Sequence, residues 1–272
     1  CSQYTIEGDA YDIESDFIHI SLNYKGSKNS PLITCYTFYD KENKKELIKI
    51  EEIEYHYFQE IKFMLEQDKD KMLKGLASKE EIKEDWENVF FKNNDSKKNS
   101  DFARGAERIY YWLFNQLGKP NSSPIGSDMM FETWNSYIHI DIKTAKKSNP
   151  SDYKGKVNVG ENQTSYKDSS FNSNLPNFYN NIIQKTKKIC LTYIILVVYD
   201  DITLDIVSIL LISIPNGELN KVYNKSIIGA GKGFRKSFRF KYKCSFNLLG
   251  THKLRYSFIY LNDKIKEKEI IG

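Results

Sequence analysis

The chain has 272 residues, 40% of them hydrophobic and 14% aromatic, and a net charge of +4. Those values exclude a disordered chain and allow one large domain, or a core with an added lobe. The longest apolar runs, Ile189 to Tyr199 and Ile206 to Ile214, are too short to span a bilayer, which takes about 20 residues.

The four cysteines (Cys1, Cys35, Cys190, Cys244) form no CxxC pair and no pattern with the four histidines. Neither a zinc site nor a disulfide framework follows, and no signal peptide is visible, so a reducing cytoplasm is the expected compartment. The chain opens on Cys1, which makes a lipid-modified N-terminus the competing expectation.

Residues 1 to about 50 read as strands. Phe17–Tyr24 and Leu32–Tyr39 are β-branched and aromatic, with Lys25–Ser30 as the turn between them. Glu46–Ile50 is amphipathic. From Glu51 to about Asn88 the spacing turns helical: Ile53, Tyr57, Ile61, Met64 and Leu65 recur at three and four residues. Gly75 is expected to split this stretch into two helices, and Ser78 with Glu81 reads as a capping box. Lys92–Ser100 is polar and reads as a linker. Asp101–Leu117 is the next helix, with Phe102, Ala106, Ile109, Leu113 and Leu117 as its stripe and Gly118 and Pro120 as its stop. Glu107 borders that stripe, and its carboxylate needs a partner, which Arg104 or Arg108 could supply.

The chain is organised around Ser127–Lys143. Tyr137, His139, Asp141 and Lys143 alternate with Ile138, Ile140 and Ile142, so the acid and the base share one face of a strand. If Trp134–Asn135 is a two-residue loop, Thr133 faces Ser136 and the register carries Asp128 opposite Asp141. Opposed side chains have Cβ atoms roughly 4.5–5.5 Å apart. Two carboxylates that close repel unless a proton or a cation lies between them. Oxygen ligands of this kind suit Mg²⁺.

Ser127-Asp128, a spacer, then Asp141-Ile142-Lys143 resembles the PD-(D/E)XK nuclease signature, and specifically the type II restriction endonucleases. Ser127 stands where that family's Pro would be. The resemblance covers residues 100–166 most strongly. It implies an α/β fold, a mixed central β-sheet flanked by helices, with an added N-terminal strand and helix region. It implies that Asp128 and Asp141, with the main-chain carbonyl of Ile142, bind Mg²⁺, and that Lys143 orients the attacking water. Glu107 would be an auxiliary acid on the helix before the site. Double-stranded DNA would be the substrate, a homodimer the assembly, and a DNA methyltransferase the functional partner.

Beyond the hairpin, Lys146 and Lys147 lie where phosphates would sit, and Asn162 and Gln163 are amides of the kind that read adenine edges or bind phosphate. Residues 167–181, rich in Ser and Asn, read as an ordered loop beside the cleft. Leu191–Tyr199 and Ile206–Ile214 are near-continuous apolar strands, which implies burial on both faces. Gly229–Gly233 invites a phosphate-loop reading, but Ser226 and Gly233 break the pattern at both ends.

Leu219 to Asn262 holds ten basic residues and no acid, leaving −6 on the rest of the chain. That asymmetry attracts polyanions, with Lys232, Arg235, Lys236 and Arg239 as the expected DNA contacts. Ser245–Leu261 reads as one more hairpin. The expected organisation is 1–99 as a scaffold region for dimer or DNA contacts, 100–218 as the catalytic core, and 219–272 as basic strands of the same globule. Two other functions stay open: a repair or junction-resolving nuclease of the same superfamily, and a non-enzymatic nucleic-acid-binding or surface protein.

Overall fold

The computed structural model describes residues 18–20, 35–37, 41–77, 106, 110, 128–233 and 236–272. The chain divides into two compact units, Cys1–Lys49 and Ile50–Gly272. In the first, β1 (Ile18–Ile20) and β2 (Cys35–Thr37) pair antiparallel, with Ile18 opposite Thr37 and Ile20 opposite Cys35. The capping box at Ser78, the linker at Lys92–Ser100 and most of the helix expected over Asp101–Leu117 lie outside the described residues. Within that helix Ala106 and Tyr110 are described, and both are helical and buried.

Two helical expectations need correction. Helix α1 runs over Lys41–Gln67, so the amphipathic stretch at 46–50 is helix and not strand. No Gly or Pro interrupts those residues, and Lys, Glu and Leu are good helix formers. The break before α2 (Lys69–Ala77) falls at Asp68 and not at Gly75. The Asp68 carbonyl accepts the Met72 N–H at 3.0 Å, and its carboxylate pairs with Lys71 at 2.9 Å. Asp favours helix starts, whereas Gly inside a helix costs only about 1 kcal/mol. Here Met72 and Leu76 are buried on either side of Gly75 and hold α2 together.

The main sheet of the larger unit has the order β11-β8-β7-β4-β3. Its strands are β3 (Met129–Glu132), β4 (Ser136–Lys146), β7 (Thr186–Tyr199), β8 (Ile206–Ile214) and β11 (Tyr256–Leu261). A further strand, β6 (Phe178–Asn181), pairs with the start of β7, so the end of the Ser/Asn-rich segment is strand. β4 and β7 are parallel and their other neighbours antiparallel, which makes the sheet mixed. Every residue from Ile189 to Tyr199 and from Ile206 to Ile214 is buried, as continuous apolar strands require.

One face of this sheet carries Ile138, Ile140 and Ile142. Tyr193, paired with Ile140, shares that face and donates from its hydroxyl to the Glu54 carbonyl of α1 at 2.7 Å. Helix α1 therefore covers the face opposite Asp141. A second sheet, β5-β10-β9, joins β5 (Val157–Gly160), β10 (Ser237–Phe240) and β9 (Ile228–Ala230). Ser245–Leu261 is not a simple hairpin: Ser245 bridges Leu254, while β11 pairs with β8.

A buried ionic cluster ties α1 to the strands beyond it. Arg255 is fully buried and contacts Glu54 at 2.6 Å and Glu51 at 3.4 Å. Glu51 also accepts the Leu248 and Leu249 N–H groups at 2.8 and 3.0 Å and the Tyr223 hydroxyl. Burial pushes Glu54 up to about 7, while the guanidinium pulls the other way. One of the ten cations of the basic segment is thus consumed inside the protein.

Candidate active site

The β3–β4 hairpin has the expected register. Met129 faces Ile140, Phe131 faces Ile138 and Glu132 faces Tyr137, and Asp128 comes directly before the first of these pairs. The turn between the strands is held from both sides. Thr133 Oγ1 accepts the Ser136 N–H at 3.0 Å, and the Tyr57 hydroxyl of α1 lies within hydrogen-bond distance of Thr133 Oγ1 at 2.8 Å and Asn135 Oδ1 at 2.7 Å. Lys188 adds contacts to Glu132 at 2.7 Å and to the Thr133 carbonyl at 2.6 Å. A slip of one residue would turn Asp141 to the opposite face, so these contacts protect the site.

Asp128 has stepped off the end of β3, and its Oδ2 accepts the Ile142 N–H at 2.7 Å. A strand residue directs its N–H and C=O to the same edge. The Ile142 carbonyl therefore leaves β4 on the edge where Asp128 stands. Lys143 Nζ lies 2.6 Å from Asp141 Oδ2, with the lysine side chain 25% exposed and the aspartate 2%. Asp141 Oδ1 accepts a hydrogen bond from Gln163 Nε2 at 2.8 Å.

Burial raises Asp141 to about 6; Lys143 opposes that shift and the Asp128 charge adds to it. Asp128 is raised as well, by burial first, against the Ile142 N–H and Lys143. Two carboxylates held with raised proton affinity, one of them paired with Lys143, are suited to take up a cation. Among the described residues no group of three His, Cys, Asp or Glu could hold a metal.

His139, the next residue along this face, donates to or accepts from the Tyr179 hydroxyl at 2.9 Å. Its burial lowers it to about 4, so the imidazole is neutral at pH 7.

The remaining expected site residues are spread out. Lys147, just past the end of β4, is 3.8 Å from Asp200, and Lys146, the last residue of β4, alternates to the side opposite Asp141. Asn162 is exposed in the turn after β5. Lys232 and Arg239 gather on Asp152: Lys232 Nζ pairs with its Oδ2, and Arg239 lies 3.6 Å from its Oδ1. Arg239 also donates to the Ser151 carbonyl at 3.0 Å and the Ala230 carbonyl at 2.6 Å. Lys236 is exposed, and its carbonyl accepts the Glu161 N–H at 3.0 Å. Glu107 and Arg235 lie outside the described residues. Sequence reasoning named Gln163 without seeing its contact with Asp141; nothing in its spacing from Asp141 announces that contact.

Two family models match this chain. One, for the N-terminal domain of type II restriction enzyme MwoI, covers residues 46–203, and the other, for the central domain of the same enzyme, covers residues 206–261. The chain belongs to the MwoI family of type II restriction enzymes. Among solved structures it is similar to the restriction endonuclease BglI bound to its DNA recognition sequence, with a TM-score of 0.56 and 14% identity. That likeness covers 80% of this chain and 94% of the other, and it is one of fold. No curated protein matches the chain. The hairpin, the parallel β4–β7 pair and the Asp128–Asp141–Lys143 group all fall inside the first matched segment. No helix among the described residues is long and apolar enough to cross a membrane.

Proposed function

We propose that this restriction enzyme is a Mg²⁺-dependent, sequence-specific endonuclease of the PD-(D/E)XK type that hydrolyses phosphodiester bonds of double-stranded DNA. The observation that carries the reading is the convergence of Asp128, Asp141 and Lys143 on one face of the hairpin, with Lys143 Nζ 2.6 Å from a buried carboxylate. Asp128 and Asp141 would hold the cation, with the Ile142 carbonyl on the same edge. Bound there, Mg²⁺ would stabilise charge on the scissile phosphate and acidify a water. Lys143, partly exposed at the rim, donates its protons toward the carboxylates and is placed to orient that water and to steady the developing charge.

Lys146, Lys147, Asn162, Lys232, Lys236, Arg235 and Arg239 are the proposed contacts to the duplex. Arg239 and Lys232 would have to exchange Asp152 for phosphate, which salt would oppose. A homodimer follows if the target is palindromic, because protein and site then share a two-fold axis. A DNA methyltransferase acting on the same site is the functional partner this reading calls for.

The test is incubation of the purified protein with phage-sized duplex DNA, with Mg²⁺ and with chelator, beside Asp128→Ala. Discrete fragments that disappear with chelator and with the variant are expected. Diffuse degradation would remove the sequence-specific part of the proposal. A folded protein that leaves DNA from several sources intact would remove all of it.

A further inference from the structure

Gln163 stands in the turn that follows β5, at the end of the small sheet nearest the hairpin. Its side-chain amide bonds at both ends. Oε1 accepts the Gly160 N–H at 2.8 Å, and Nε2 donates to Asp141 Oδ1 at 2.8 Å. The first bond settles the orientation of the second. A backbone N–H can only donate, so the atom facing it must be the amide oxygen, and the atom facing Asp141 must be the NH₂. The turn is itself braced. Gln163 N–H donates to the Gly160 carbonyl at 3.1 Å, and Glu161 exchanges bonds with the Lys236 carbonyl at 3.0 Å and the Asn174 N–H at 2.6 Å. The amide therefore arrives at Asp141 on a rigid support.

Asp141 is held at both oxygens, Oδ1 by Gln163 and Oδ2 by Lys143. The two partners differ. Lys143 is a flexible cation at the rim, which a bound metal ion can displace from Oδ2. Gln163 is neutral and donates to the other oxygen, so it can stay in place when a metal ion takes Oδ2. A carboxylate ligand fixed by an outer hydrogen bond presents its free oxygen in one direction only.

We infer that Gln163 is a positioning residue for Asp141, orienting the carboxylate for the divalent cation, and that it is not a contact to DNA bases or phosphate. The inference rests on the Mg²⁺ site proposed above. It also gives the small sheet a second role. The sheet that carries Arg239, with Lys232 and Lys236 in the connection between its strands β9 and β10, touches the Asp141 carboxylate through this amide.

The experiment uses full-length protein carrying Gln163→Met, which keeps the length of the side chain and removes its donor, with Gln163→Ala beside it. Three quantities are read: Mn²⁺ affinity by titration calorimetry without DNA, duplex affinity by fluorescence anisotropy in chelator, and kcat and KM against Mg²⁺ concentration. The expected result is Mn²⁺ affinity lowered about 10- to 100-fold, the effect of losing an outer-shell partner, with duplex affinity unchanged. In both variants kcat falls, KM for DNA holds, and raised Mg²⁺ restores turnover. Weakened duplex affinity with normal Mn²⁺ affinity would overturn the inference and return Gln163 to the DNA interface. Normal values for all three would overturn it too. Wild-type protein that binds no Mn²⁺ and cuts no DNA would instead remove the Mg²⁺ reading itself.

Discussion

Replacing Asp141 with Asn should stabilise the metal-free protein while abolishing cleavage. Burial moves the Asp141 carboxyl from the usual 3.8 to about 6. Two pH units at 1.36 kcal/mol each make the ionised carboxylate cost about 3 kcal/mol in the folded state well above pH 6. The folded protein holds this proton more tightly than the unfolded chain does. The contribution of Asp141 to stability is therefore greatest below about pH 4, falls as pH rises toward 6 and is level beyond. Asn carries no charge and can still accept from Gln163, but its NH₂ faces Lys143 Nζ, so the ion pair is lost.

The value of about 6 already contains the Lys143 attraction, so it is the Asn NH₂ set against Lys143 Nζ that reduces the net gain at pH 8 to about 1–2 kcal/mol, or roughly 3–6 °C in Tm. Thermal unfolding in chelator at pH 4.5, 6 and 8 measures it. The wild type should fall behind the variant as pH rises. In Mg²⁺ the order reverses, because the wild type gains about 2.7 kcal/mol at a hundredfold excess over Kd and the variant gains nothing. A variant less stable than wild type at pH 8 in chelator would refute the reasoning, as would a difference that does not change between pH 4.5 and 8.

Lys143→Ala should lower the single-turnover cleavage rate by about 10²–10⁴ while leaving duplex binding in chelator intact, since the lysine acts at the reacting centre. Arg255→Met leaves Glu51 and Glu54 buried without their cation and should cost about 3–5 kcal/mol in urea unfolding. Adding Glu51→Gln and Glu54→Gln should recover most of that loss, and no recovery would show that the charge is not the cause. Gly217→Ala would place a methyl 2.1 Å from Asn177 Oδ1 and 2.3 Å from the Ser165 carbonyl. It should destabilise by about 1–3 kcal/mol, whereas Gly233→Ala, with nothing within 4 Å of the added methyl, should change stability by less than about 0.5 kcal/mol.

The hairpin that carries the site could be read from local order alone. Alternation with period two and a two-residue loop at Trp134–Asn135 leave one register, and that register already sets Asp128, Asp141 and Lys143 on one face. The buried strands at 189–199 and 206–214 were legible for the same reason, since an unbroken apolar run can only be covered on both sides. Tertiary structure decided what depends on distant partners. Gln163 meets Asp141 because β5 pairs with β10, 79 residues later where Phe238 faces Val159, and no pattern near residue 163 encodes that pairing. Arg255 looks like one more surface cation of a basic segment until α1 brings Glu51 and Glu54 from about 200 positions away. Lys232 and Arg239 likewise meet Asp152 only when the small sheet closes. Local periodicity specifies which side of an element a residue faces, but a charge's partner is set by the path of the whole chain.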